Sequence, residues 1–300
     1  MGIISEDAIQ QFKALVDQLD EPLKKTFENI HQGYPIETLV RFLKAREWNV
    51  DKAHKMLVDC LNWRIQNEID NILAKPIVPA DLYRAIRSSQ LIGMSGYSKE
   101  GLPVFVIGVG LSTFDKASVH YYVQSHIQLN EYRDRVVFPA ATKQQGRHIV
   151  DDLNYPEKTD TYYIVNAPYI FSACWKVVKP LLHERTRRKM QVLQGCGRDD
   201  LLKVMDYSSL PHFCRREGSG SSRRTSCEVD DCYSFDHAYR QQLYDYIKQQ
   251  SLSPESRVLI KEGSFHVGVP DLDPEDSRIA RTIESQFRIL GNRNGLRRMA

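Results

Sequence analysis

Apolar residues near the start of the chain recur every three or four positions, the spacing of one face of a helix. Ile9, Phe12, Leu15, Val16 and Leu19 form such a stripe within residues 5–30. Two further helices are expected over 36–46 and 51–66, the second burying Ala53, Met56, Leu57, Cys60 and Leu61. The period then changes. Residues 91–94 and 104–109 are short apolar runs joined by a polar loop with Gly96 and Gly101, the pattern of a β-hairpin. Helical spacing returns over 119–137 with Tyr121, Tyr122, Ile127, Leu129 and Tyr132. A strand-like run, 162–165, ends at Asn166-Ala167-Pro168. An apolar helical stripe follows through Phe171, Cys174, Trp175, Val178, Leu181 and Leu182, then a second strand-like run over 190–193. Strand, helix and strand in that order predict a crossover unit with two parallel strands, and hence an α/β domain.

After Phe213 the pattern dissolves into Gly, Ser and Arg, and residues 217–234 read as a flexible polar linker. Helical spacing resumes over 235–247 (Ala238, Leu243, Ile247) and over 276–290 (Ile279, Ile283, Phe287, Leu290). The expected organisation is a helical N-terminal lobe over 1–75, an α/β domain over 76–216, the linker, and amphipathic C-terminal helices over 235–300 that dock or touch a membrane.

Composition narrows the functional classes. The 300 residues are 42% hydrophobic and 26% charged, ordinary for a globular protein. A net charge of +3 is too small to make nucleic acid the main partner. The charge is instead clustered, in Arg185, Arg187, Arg188 and Lys189, and again in Arg215, Arg216, Arg223 and Arg224. Such clusters suit an anionic membrane surface, each basic residue near it contributing ~1 kcal/mol. For Arg288, Arg293, Arg297 and Arg298 in the tail, a solvated charged face is an equal reading. The six cysteines show no secreted framework, and Cys60 and Cys174 sit in apolar helical patterns as core thiols. Cys227 and Cys232 offer too few ligands at workable spacing for zinc. No apolar run approaches 18 residues, so membrane contact is expected to be peripheral and the protein cytoplasmic.

Several motifs, in order, resemble the Sec14-like phosphatidylinositol transfer proteins with their CRAL-TRIO lipid-binding domain, in particular the plant members. They are Leu39-Val40-Arg41-Phe42-Leu43-Lys44-Ala45-Arg46-Glu47-Trp48, then Trp63-Arg64, Lys99-Glu100-Gly101-Leu102-Pro103-Val104, the 155–168 stretch, and Leu210-Pro211-His212-Phe213. The resemblance implies a mixed sheet of three to five strands flanked by helices, with a helical N-terminal lobe and a helical C-terminal extension. One departure stands out. Gly146-Arg147-His148-Ile149 runs directly into Val150-Asp151-Asp152-Leu153, so a strand-helix unit of ~25 residues is missing near residue 149.

The resemblance also implies a headgroup site at Arg46, Glu157, Lys158, Thr186 and Lys189. The chemistry is coherent. A phosphodiester takes a cation and a hydroxyl donor, Lys189 and Thr186, and inositol hydroxyls take a carboxylate acceptor, Glu157. Without the resemblance these are charges at element ends, and Arg46 is the weakest member of the set. The helix from Tyr169 resembles the family's gate, with Phe171, Trp175, Val178 and Leu182 closing over acyl chains; core packing explains the same stripe. Tyr121, Tyr122 and Tyr132 are further pocket candidates. Phe105 and Met94 replace tyrosines of the family's choline-headgroup site.

The implied function is binding, transfer or presentation of phosphatidylinositol by a monomer peripherally associated with Golgi or plasma membrane. Phospholipid, anionic membrane and lipid kinases are its expected partners. Two alternatives stand beside it: a non-exchanging, regulatory isoform with a defective pocket, and a carrier of another hydrophobe. No nucleophile elbow or phosphate loop is present, and neither enzymatic activity nor a cofactor or metal beyond a bound phospholipid is expected.

Overall fold

The computed structural model describes residues 3–145, 161–168, 171, 175, 179–181, 184–215, 231–252, 281 and 285. Expectations placed on 146–160, on the linker up to 230, and on the helix over 276–290 apart from Arg281 and Ser285 lie outside them. The chain forms two compact units, Met1–Lys158 with Leu201–Phe265 and Thr159–Asp200 with His266–Ala300.

The first unit begins with four helices: α1 (Ile3–Asp17), α2 (Glu21–His31), α3 (Pro35–Ala45) and α4 (Val50–Gln66). The single helix expected over 5–30 is thus two. The break falls at Asp20, whose side chain accepts from the Leu23 amide at 3.1 Å and caps α2, with Pro22 in its first turn. Phe12, Phe27, Leu39, Phe42, Leu43, Ala53, Leu57 and Leu61 are buried together. Each removes its apolar surface from water, worth about 1.5–3 kcal/mol for the larger side chains.

A 3-10 turn (Ile69–Ala74) and α5 (Ala80–Ser89) lead to the expected hairpin, β1 (Ile92–Tyr97) antiparallel to β2 (Pro103–Ile107) with an irregularity between Met94 and Gly96. Next come α6 (Val119–Tyr132), a π-helical turn (Arg133–Val137) and α7 (Phe138–Gln145). Ile69, Ile72, Met94, Ile127, Leu129 and Tyr132 make the core of this part.

The same core takes in Tyr239, Leu243 and Ile247 of a helix that follows the linker, Ala238–Ser251. Part of the C-terminal extension is therefore packed against the hairpin and α6. Cys232 and Tyr233, inside the span expected to be linker, are buried beside Val106 and Leu91. Gly93 of β1 makes room for them: a Cβ there would lie 2.0 Å from the Cys232 carbonyl oxygen.

The second unit contains the crossover, β3 (Tyr162–Ile164) parallel to β4 (Met190–Val192), with a 3-10 turn (Lys179–Leu181) and α8 (Glu184–Lys189) between them. The class is the expected mixed α/β fold with a helical N-terminal lobe and a helical C-terminal extension. The sheet itself differs. Among the described residues it is two separate two-stranded ladders, one antiparallel and one parallel, in place of three to five joined strands. The chain continues through α9 (Arg198–Val204) and α10 (His212–Arg215), and its helix after the linker is α11.

One polar network crosses the first unit. Arg64 of α4 donates from both terminal nitrogens to the two oxygens of Glu131 on α6, at 2.7 and 2.9 Å. Its Nε and Nη2 also donate to Asp70 Oδ1 at 3.0 and 2.7 Å. Arg135 donates to Glu131 Oε2 at 2.7 Å, and Asn29 of α2 donates to the other oxygen of Asp70 at 2.8 Å. Burial would pull the Arg64 pKa down; the hydrogen bonds and charge of Glu131, then of Asp70, outweigh it and raise the pKa above the ordinary value.

Arg64→Met should lower the unfolding free energy by about 3–5 kcal/mol, because it leaves the Glu131 carboxylate buried without its main partner. Urea denaturation of the two proteins checks this. His31 gives a pH-dependent contribution. Its ring stacks edge-on against Phe27, and Nδ1 accepts from the Gly33 amide at 3.1 Å. Burial lowers its pKa below 6.5, against the opposing charge of Glu28. The unfolded chain then binds more protons than the folded one just below pH 6.5, so stability falls as pH falls through that range. Denaturation midpoints at about pH 7 and about pH 5 should differ more for the wild type than for His31→Phe.

Candidate functional site

The residues expected to hold a headgroup fall on different elements of the chain. Arg46 is exposed at the C-terminal cap of α3 in the first unit, where its guanidinium donates to the Ala45 carbonyl at 3.2 Å. Glu157 and Lys158 lie outside the described residues. Thr186 and Lys189 are one turn apart on α8 of the second unit, which runs straight into β4. Lys189 is half-buried at that junction. Of the three described, Thr186 and Lys189 share an element, and the Thr186 side chain lies outside the described residues.

Two of the four gate positions, Val178 and Leu182, also lie outside the described residues. Phe171 and Trp175 are both helical and half-buried, four residues apart. Their rings stack at 5.9 Å with planes 13° apart. They thus share a helical face, within the same crossover as Lys189.

The tyrosine candidates are core. The Tyr122 hydroxyl is tied to Ser89 Oγ at 2.5 Å and accepts from the Lys116 amide at 2.9 Å. Tyr132 packs against Tyr239 and Tyr246 at ring distances of 6.0 and 5.3 Å, and Tyr121 packs against the cluster holding Tyr83 and Tyr122. Phe105 meets Tyr239 edge-on at 5.8 Å and Met94 is buried in the same cluster. Hydrophobic packing, much of it aromatic, explains all five positions.

Polar groups that sequence reasoning passed over are more unusual. Arg87 of α5 and Arg240 of α11 are 1% and 2% exposed. Arg240 Nη1 donates to the Arg87 carbonyl at 2.9 Å and Arg87 Nη2 to the Ser125 carbonyl at 3.3 Å. Four further guanidinium nitrogens, Nε and Nη1 of Arg87 and Nε and Nη2 of Arg240, have no hydrogen-bond partner among the described residues. Burial, and then the like charge of Arg87, lower the Arg240 pKa to about 10. These nitrogens are packed against protein, so the pair acts as a stability cost and offers no opening for a ligand. A second group gathers His212 of α10 with Asp231 and Cys232, inside the span expected to be linker. Burial, and then the Asp231 charge, push the Cys232 thiol up to about 12, so it is no free nucleophile. Neither group has a local sequence signal, because partners 153 and about 19 positions apart meet only in the fold.

Sequence comparison bears on this arrangement directly. Residues 8–59 match the sequence model of the CRAL/TRIO N-terminal domain, and residues 148–214 match that of the CRAL/TRIO domain. Over these two segments, and in its mixed α/β fold, the chain is similar to the CRAL-TRIO domain family. Among individual proteins, it is similar to the phosphatidylinositol/phosphatidylcholine transfer protein SFH9 of Arabidopsis thaliana, 28% identical over 228 positions covering 63% of this chain and 39% of that protein. SFH12 of the same plant is 27% identical over 229 positions, covering 65% and 41%. Protein real-time of Drosophila melanogaster is 24% identical over 306 positions, covering 88% and 44%. The chain thus spans about two fifths of the length of these curated relatives. The alignments are also longer than the part of this chain they use. For SFH9, 63% of 300 residues is about 189, so about 39 of the 228 positions meet no residue here. For SFH12, 65% is about 195, leaving about 34 of 229.

Arg240→Met should raise stability by about 1–3 kcal/mol, since it removes a buried, under-partnered charge at the expense of one hydrogen bond worth about 1 kcal/mol. Urea midpoints of the wild type, Arg240→Met and the charge-keeping Arg240→Lys decide it. A stabilisation shared by the lysine variant would mean that charge burial is not the cause.

Proposed function

We propose that this chain is a phospholipid-binding CRAL-TRIO protein, a carrier rather than an enzyme, whose preferred ligand is phosphatidylinositol. The observation that carries the reading is the pair of family matches, helical lobe and lipid-binding domain, in one chain and in that order. The names of the two Arabidopsis relatives, which describe transfer of phosphatidylinositol and phosphatidylcholine, support the ligand class. Lys189 with Thr186 supplies the cation and hydroxyl a phosphodiester requires. The stacked Phe171 and Trp175 supply an apolar face suited to acyl chains. Glu157, Lys158 and Arg46 complete the polar set in this reading, with Val178 and Leu182 extending the gate. The lipid would be taken up and presented at an anionic cytoplasmic membrane surface.

A second reading is favoured by the alignment shortfall of about 34–39 positions. It fits the loss of a strand-helix unit near residue 149, and it goes with a β3–β4 ladder of only two strands, among the described residues, whose Tyr162 is exposed. A parallel pair alone lacks the neighbours that normally cover both faces of such strands. In this reading the pocket is defective, and the chain is a non-exchanging form acting through membrane or partner contact.

Native mass spectrometry with lipid extraction, on protein purified from a eukaryotic host, separates the two. The carrier reading expects phosphatidylinositol to co-purify and Lys189→Ala to weaken its binding about 10- to 100-fold, the worth of a charge-assisted hydrogen bond to phosphate. A folded wild type that carries no lipid and takes none up from phosphatidylinositol vesicles would leave the non-exchanging form as the account.

A further inference from the structure

We infer that His212, Asp231 and Cys232 form a divalent transition-metal site, best suited to zinc, which ties the end of the lipid-binding domain to its C-terminal extension. One nitrogen, His212 Nδ1, faces both of the other ligands: Asp231 Oδ1 at 3.3 Å and Cys232 Sγ at 3.8 Å. All three ligand atoms fall within 4.8 Å of one another. An imidazole nitrogen has one in-plane direction for a proton or lone pair, so it cannot make two good hydrogen bonds at once. The N···O separation is long for a hydrogen-bonded pair, where N···O clusters near about 2.9–3.0 Å.

Both separations are close to the edges of a metal tetrahedron. Zinc bonds of about 2.0–2.1 Å to nitrogen, 2.0–2.2 Å to oxygen and 2.3 Å to sulfur imply N···O near 3.4 Å and N···S near 3.6 Å. Donor chemistry narrows the ion. A thiolate and an imidazole exclude magnesium and calcium, which take oxygen ligands, and the mixed sulfur, nitrogen and oxygen set is one zinc accepts. The Asp231 side chain is 44% exposed and that of His212 23%, so water can fill a fourth position.

The ligands are held before any metal arrives. Asp231 Oδ1 accepts from the Tyr233 amide at 2.8 Å, which fixes the carboxylate in a local turn. The His212 ring is held edge-on between Phe213 and Tyr233, at 5.2 and 5.6 Å. The Cys232 backbone lies over Gly93, where no Cβ could fit. A metal here would close the loop between α10 and the chain entering α11. Binding only to the folded state, it would stabilise that connection by mass action.

The test uses the full chain without a histidine tag. Zinc titration by calorimetry, with metal content by mass spectrometry, should give one zinc per chain. Cobalt in its place should show a thiolate-to-cobalt absorption band and a tetrahedral visible spectrum. Cys232→Ser should abolish the band, and His212→Gln should weaken affinity at least ~100-fold, beyond the usual effect of losing an outer-shell partner. Zinc should also raise the wild-type melting temperature and leave that of His212→Gln unchanged. A folded wild type that binds no zinc, or a His212→Gln protein with wild-type affinity and cobalt spectrum, overturns the assignment. Should Cys232→Ser fail to fold, His212→Gln, at a more exposed position, carries the decision.

Discussion

The Arg64–Glu131 pair is the interaction on which the first unit depends. Four helices of the N-terminal lobe could pack as an independent bundle, since their apolar stripes meet one another. What ties them to α6 is a guanidinium on α4 gripping a carboxylate on α6 through two bonds, with Asp70 and Arg135 satisfying the remaining donors and acceptors. Two Arg and two acidic groups, all bonded, make a buried network in which each charge has a partner. Removing Arg64 takes from Glu131 its bidentate partner and leaves that buried carboxylate with Arg135 alone. The lobe and the domain beneath it therefore stand or fall together.

The contrast with Arg87 and Arg240 is instructive. Those two guanidiniums are as deeply buried, yet their hydrogen bonds go only to backbone carbonyls. A carbonyl offers a partial charge where Glu131 offers a whole one, and the lowered pKa of Arg240 against the raised pKa of Arg64 records the difference. Packing of Tyr239, Leu243 and Ile247 on α11 is what keeps Arg240 in place. The hydrophobic contribution of one helix face thus offsets the cost of one residue on it.

Much of the fold was legible in the sequence because it is written at short range. Apolar spacing located α3, α4, the hairpin and the β3–β4 crossover to within a few residues, and the break between α1 and α2 is encoded in Asp20 and Pro22, whose capping role the longer stripe obscured. Buried charge was not legible. Arg64, Arg87 and Arg240 look like any surface arginine, since periodicity reports where a side chain points and not what awaits it there. The docking of residues 232–251 was hidden for the related reason that Cys232 and Tyr233 sit directly behind a polar run. Of the proposed lipid site, the sequence supplied residue types and the order of motifs; the described residues join only Phe171 with Trp175, and Thr186 with Lys189 along one helix.

These observations divide the molecule's tasks. Among the described residues, every member of the charged network and of its apolar core belongs to the first unit, including the helix that returns after the linker. The groups proposed to meet a phospholipid that the structure describes, Phe171, Trp175, Thr186 and Lys189, all belong to the second. The residues that sustain the first unit are thus separate from those proposed to meet a lipid. Where a fold is sustained by residues other than those proposed to meet a ligand, the ligand can change without loss of the fold.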